Sequence, residues 1–146
     1  MTLVRKAIIL PILTLTCVAC SKGSLTKTYS ILQDSKYDAV FLDTSIQDFL
    51  DEGFKFGDSC DITFSNNLKF EDIPFYSGYY VRTGEPLIVG YPGYQYIAVT
   101  RNNEGLWTSS NLSLDDKVTV TLREEGKYID TQEALSHSYS NNRSDY

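Results

Sequence analysis

Cysteines, paired carboxylates and a dense set of tyrosines are the residues of this chain whose types and spacing could do chemistry. Cys60 lies in Asp58-Ser59-Cys60-Asp61-Ile62-Thr63-Phe64, where period-two alternation puts it on one side with Ile62 and Phe64. A thiol becomes a nucleophile when a neighbouring cation or base lowers its pKa, and none stands close in sequence. Cys60 is therefore expected to be a small buried hydrophobe. The single His137 lies in a polar C-terminal stretch, whereas a general base must be held within hydrogen-bond reach of its proton. Asp115-Asp116 and Glu124-Glu125 lack the alternating oxygen spacing of a calcium loop, and no Cys-x-x-Cys or His pair suits zinc. Gly84, Gly90 and Gly93 sit in turns and open no helix, so a phosphate cradle is unsupported. No catalytic set, metal site or cofactor is expected.

The aromatic residues are the exception to this bland picture, with eleven Tyr, seven Phe and one Trp. Phe75-Tyr76-Ser77-Gly78-Tyr79-Tyr80 and Tyr91-Pro92-Gly93-Tyr94-Gln95-Tyr96 alternate rings with turn residues, and Trp107 falls in a third loop. Such rings either fill a small core with their hydroxyls at its rim or form an exposed platform for a flat ligand. On the second reading Tyr79, Tyr91, Tyr94 and Trp107 supply the surface. Arg101 and Asn102 (with Arg82 nearby) add polar contacts. The expected ligand is a protein, a sugar or a nucleoside.

The N-terminus gives an address. Arg5 and Lys6 precede an apolar run, Ala7 to Leu15, interrupted only by Pro11 and Thr14. That run is well below the roughly 20 apolar residues of a spanning helix, so it reads as a cleaved export signal over 1–19. Cys17-Val18-Ala19-Cys20 resembles a bacterial lipobox, with Cys17 where Leu is usual. Cys20 is thus the expected lipidation site, an ordinary cleaved secretion signal being the alternative. The expected location is outside the cytoplasm, anchored through lipid to the cell or outer membrane. Residues 20–36 read as a tether, its start, Ser21 to Thr28, rich in small and polar residues. With Cys17 removed and Cys20 acylated, Cys60 has no thiol to pair with.

Losing Arg5 and Lys6 leaves 11 Lys plus Arg against 19 Asp plus Glu, a net charge of −8. Nowhere in the mature chain do two basic residues adjoin, so no nucleic acid is expected as partner.

The elements that must position these residues are short and closely spaced. Tyr37–Asp43, Asp58–Phe64, Leu68–Ile73, Leu87–Tyr91, Tyr94–Thr100 and Lys117–Arg123 read as strands, with Tyr79–Arg82 a further short candidate. Pro74 is expected to break its strand. Ser45 should cap a short helix, Ile46–Glu52, which Gly53 ends. Asn102 to Leu114 reads as loop or one helical turn. The pattern predicts a mainly all-β fold, a small antiparallel β-barrel or sandwich with one short helix, over residues 37–125. A connector-like tail, 126–146, should carry a short helix from Asp130 through Leu135 and then a disordered end.

This order of elements is familiar. Gly57-Asp58-Ser59-Cys60-Asp61-Ile62, Tyr80, Thr83-Gly84-Glu85-Pro86-Leu87, Gly93-Tyr94-Gln95-Tyr96-Ile97-Ala98 and Leu114-Asp115-Asp116-Lys117-Val118-Thr119-Val120 occur in sequence. Together they resemble the C-terminal β-barrel domain of the S-adenosylmethionine hydroxide adenosyltransferases. Phe56-Gly57-Asp58, Glu71-Asp72-Ile73-Pro74, Ser77-Gly78-Tyr79-Tyr80 and Tyr91-Pro92-Gly93-Tyr94 resemble, more closely, bacterial lipoproteins whose barrel precedes a tyrosine-phosphatase-like domain. Their connector is similar to Gly126-Lys127-Tyr128-Ile129-Asp130 and the residues that follow.

The resemblance implies a fold more than a reaction. The nucleoside-binding Asn of the adenosyltransferases falls on Ser45, and their Ser-Arg before Gly-Tyr falls on Tyr91-Pro92. The Cys-x5-Arg signature of the phosphatases has no counterpart at Cys60. A non-catalytic binding module is the expectation. An accessory or remnant module of a phosphatase-like or adenosyltransferase-like enzyme is the alternative.

Overall fold

The computed structural model describes residues 25–32 and 37–131. The leader, Cys20, and the predicted helix and polar end beyond Thr131 lie outside the described residues. Seven strands close into a barrel: β1 (Thr26–Leu32), β2 (Val40–Ser45), β3 (Ser59–Phe64), β4 (Lys69–Tyr76), β5 (Pro86–Val89), β6 (Tyr96–Arg101) and β7 (Lys117–Glu124). Their order around the barrel is β1-β2-β6-β5-β4-β3-β7. Of the small β-barrel or sandwich that the short, closely spaced strands predict, the barrel is the one observed.

β7 shows how the sequence sets the faces. Val118 and Val120 are fully buried inside, while Thr119 and Thr121 point out. There Thr28 and Thr26 of β1 meet them hydroxyl to hydroxyl at 3.0 and 3.2 Å, cross-strand pairs of the kind that stabilise a sheet face. Cys60, Ile62 and Phe64 alternate inward on β3 as expected, and Cys60 is a free, buried thiol.

Three readings of the sequence are corrected. β1 comes from the stretch read as tether. Only Tyr29 and Ile31 carry its inward face, and the polar residues between them mask the alternation. Pro74 does not end β4, which runs on to Tyr76. Phe75 exchanges backbone hydrogen bonds with Gly57 and Asp58, at 2.7 and 3.0 Å. The nitrogen of Pro74 therefore points to the opposite edge, where β5 has not yet begun to pair, and a missing donor costs nothing. That neighbour is parallel: Phe75 pairs Ile88 and Tyr76 pairs Val89, the exception in an otherwise antiparallel barrel. Finally, Tyr79–Arg82 is irregular chain. Of the loop or helical turn that Asn102 to Leu114 reads as, the helical turn is present, at Trp107–Ser110.

Helix α1 (Ile46–Asp51) stoppers one end of the barrel. Ser45 caps it by accepting the amide of Asp48 at 3.0 Å, and Phe49 is buried, stacked on Phe54 at 4.2 Å. Gly53, with φ of 117°, follows the cap as the sequence suggests. Helix α2 (Trp107–Ser110) lies beyond the other end of β6.

The core has two layers. Ile88, Ile97 and Val99 face the barrel interior, but the intervening Leu87, Val89 and Ala98 are buried as well. These outward residues form a second apolar cluster with Ala39, Tyr76 and Val81, covered by Phe41, Tyr79, Tyr80, Tyr94 and Tyr128. The unbroken apolar run of β5 reflects burial on both faces.

Candidate functional site

The tyrosine loops cover the outer cluster, and some of their rings emerge at its edge. The Tyr79 and Tyr94 hydroxyls are 2.7 Å apart. Tyr94 also contacts Phe41, Tyr37 and Tyr91, with ring centroids 5.5, 5.4 and 5.3 Å away. Tyr91 closes the group against Tyr79 at 5.9 Å. Tyr37 and Tyr91 are 47% and 44% exposed. The patch is a half-buried Tyr79–Tyr94 base carrying two exposed rings.

The other predicted site residues do not belong to it. β6 begins beside the Tyr91–Tyr94 loop and ends at Arg101, so Trp107, which follows, sits at the far end of the barrel. Its ring is partly buried against the interior core. Arg101 lies over the Phe70 ring, 5.3 Å from the centroid. Asn102 is a clamp: its Nδ2 donates to the Val81 carbonyl at 2.7 Å, and its backbone bonds Gly84 and Glu85. Three of the six predicted residues come together, and three serve the fold elsewhere.

Burial pushes the Cys60 thiol up to about 12, with the charges of Asp58 and Asp61 adding to the effect. A thiol so protonated is a poor nucleophile. Among the described residues no group of three or more His, Cys, Asp or Glu is placed to hold a metal ion. His137 lies outside the described residues.

The start of the tail is fastened to the barrel beside β4. The Tyr128 amide donates to the Gly57 carbonyl at 2.8 Å. The Tyr128 hydroxyl reaches both the Asp72 carboxylate, at 2.8 Å, and the Asp72 carbonyl, at 3.0 Å. Lys127 Nζ is 2.7 Å from the same carboxylate, to which Ser59 also donates at 2.6 Å. Asp130 accepts the Ser77 amide at 2.8 Å. These donors, Lys127 first, hold the Asp72 carboxyl well below the usual carboxylate range.

Between the tail, β4 and the chain leading into β5 lies an open groove of about 540 Å³. Ile73, Pro74, Val81 and Pro86 line it with apolar surface, Tyr76, Tyr80 and Tyr128 add rings, and Glu71, Glu85, Arg82 and Lys127 stand among the residues around it. Sequence reasoning missed it because its walls come from three segments distant along the chain. The tyrosine density of Phe75–Tyr80 was its local sign.

No family model and no curated protein matches the chain. Among solved structures it is similar to an uncharacterized conserved protein from Thermotoga maritima, with a TM-score of 0.55 and 14% identity. That likeness covers 64% of this chain and 35% of the other, so this chain corresponds to about a third of its neighbour. At such identity what is shared is the fold: a seven-stranded barrel with a neighbour of uncharacterized function.

Proposed function

We propose that this is an exported domain, lipid-anchored through Cys20, that acts without catalysis by presenting its tyrosine patch to a protein partner. The observation that carries the reading is the exposure of Tyr37 and Tyr91 in ring contact with a hydrogen-bonded base at Tyr94. Tyrosines of this kind bring large contact area with little side-chain entropy to lose and a hydroxyl to orient it, which is why they concentrate in interfaces. The barrel is read as akin to the C-terminal domain of the adenosyltransferases and to the lipoprotein barrels. A nucleoside is less well supported as ligand. Thr44 is buried, and Ser45, at the position of the family's binding Asn, is occupied as a helix cap.

Two measurements test this reading. Palmitate labelling in cells should mark the chain and should vanish in Cys20→Ser, which would then leave the membrane fraction. A photo-crosslinking side chain at position 91 or 37 should trap one defined envelope protein, whereas the same group at exposed position 114 should not. Equal trapping from all three positions, or none from 91 and 37, would sink the interface.

A second reading rests on the docked tail. Lys127, Tyr128 and Asp130, which resemble the connector of the phosphatase-bearing lipoproteins, are fixed on the barrel. On that reading the domain is an accessory to a phosphatase-like partner, and the trapped protein would carry that partner's Cys-x5-Arg signature.

A further inference from the structure

The groove beside the tail has a feature the tyrosine patch lacks. Tyr76 is only 4% exposed, yet its hydroxyl makes no hydrogen bond with any described residue, and Tyr76 lines the groove. The ring is buried but the hydroxyl is open to the groove, where water satisfies it, so a ligand that displaces that water has to replace its hydrogen bond. Its ring is meanwhile held between Tyr80 and Tyr128, with centroids at 5.7 and 6.2 Å.

The lining narrows what the partner can be. A strand added to the sheet edge is excluded by the chain itself. Pro74 and Pro86 offer no amide donors at this seam, and the Asp72 carbonyl is taken by the Tyr128 hydroxyl. A strongly charged ligand finds little to hold it. Glu71, Asp72 and Glu85 outnumber Arg82 and Lys127 and disfavour an anion. Lys127 is paired with Asp72, and the excess carboxylate sits among the exposed Glu71 and Glu85, where water and salt screen it from a cation. A purely apolar ligand would leave the Tyr76 hydroxyl unsatisfied. What remains is a neutral molecule with a flat C–H face for the phenol rings and hydroxyls on its edge for Tyr76 and the carboxylates. The groove is also of the size that small ligands occupy.

We infer that the groove walled by Tyr76, Tyr80 and Tyr128 is a second ligand site, separate from the tyrosine patch, and that it takes a neutral saccharide. One sugar ring lies against Tyr80, with a hydroxyl on Tyr76. The tail is a structural component of the site, since Tyr128 forms one of its walls.

The test is calorimetric titration and saturation-transfer NMR on the full chain in detergent. The probes are glucose, galactose, N-acetylglucosamine and their β-linked disaccharides. At least one should bind with Kd on the order of 1 mM. Tyr76→Phe should weaken it about tenfold, the worth of one hydrogen bond, without lowering the melting temperature. Tyr80→Ala should abolish binding, and Tyr91→Ala should leave it unchanged. The inference is overturned if no probe binds the parent chain at concentrations of about 10 mM, or if Tyr76→Phe binds as well as the parent. A loss with Tyr91→Ala instead would move the sugar to the tyrosine patch. The patch proposal stands or falls separately, because its crosslinks do not involve the groove.

Discussion

The Tyr128 hydroxyl and the Asp72 carboxylate meet at 2.8 Å, across 56 residues of chain, and so join the tail to the edge of β4. Asp72 holds a left-handed backbone, φ 55°, in β4 opposite the irregular register of β3. There its side chain collects Ser59, Lys127 and Tyr128. Tyr128→Phe removes one hydroxyl proton shared between the Asp72 carboxylate and the Asp72 carbonyl, and should cost about 2 kcal/mol because one acceptor is charged. Thermal unfolding and faster proteolysis after Lys127 would report it.

The same carboxylate gives an acid limit. Its folded pKa is depressed from an ordinary 3.8, chiefly by the Lys127 hydrogen bond. Its contribution to stability is therefore fully present above about pH 4 and is lost as pH falls below that. Lys127→Met should flatten the fall in melting temperature between about pH 5 and 3. An unchanged slope would remove Asp72 as its source.

Alkali acts with the opposite sign. Cys60 is pushed up from 9.0 to about 12 by burial, and Tyr76 from 10.0 to about 12 by burial and then Asp130. A raised acid contributes fully below its unfolded pKa, so stability should hold to about pH 9 and decline toward 12. Cys60→Ala should lessen that decline. At pH 8, native Cys60 should resist an aromatic disulfide reagent and react at the rate of unfolding.

Gly57 should tolerate no side chain. Its φ is 97°, and a Cβ there would stand 2.6 Å from the Tyr128 carbonyl oxygen. Gly57→Ala combines backbone strain of about 1–2 kcal/mol with expulsion of the tail. Hydrogen exchange at the Tyr128 amide, which bonds Gly57, should accelerate well beyond that of the β7 amides.

Within the patch, Tyr94 and Tyr91 should separate. Tyr94 touches three other rings and bonds the Tyr79 hydroxyl, so Tyr94→Ala should cost about 3 kcal/mol. Tyr91, nearly half exposed, should cost at most about 1 kcal/mol. Denaturant titration of both variants checks the split.

The barrel was legible in the sequence wherever one face differed sharply from the other. β7 alternates valine with threonine and lysine, and β5 is apolar throughout, so both could be placed by pattern alone. β1 could not, because Tyr29 and Ile31 are its only strong inward residues and its register is supplied by β7. Pro74 misled because local propensity says nothing about which edge of a strand is vacant. The aromatic loops were visible as a feature, but their division was not. Whether a tyrosine covers Leu87 and Val89 or projects past them is decided by the second apolar layer, a tertiary fact. For the same reason Arg101, Asn102 and Trp107, close in sequence to one another, do not join Tyr91 and Tyr94.

β1 pairs antiparallel with β7, Thr26 opposite Thr121, so the chain enters and leaves the barrel at one end. A pull on the two ends of the described chain would load neighbouring strands in peel, the direction in which hydrogen bonds break in succession. The contacts of Tyr128, Lys127 and Asp130 intercept that load before it reaches β7. A pull arriving from beyond Thr131 would thus meet the bonds of a groove wall before those of β7.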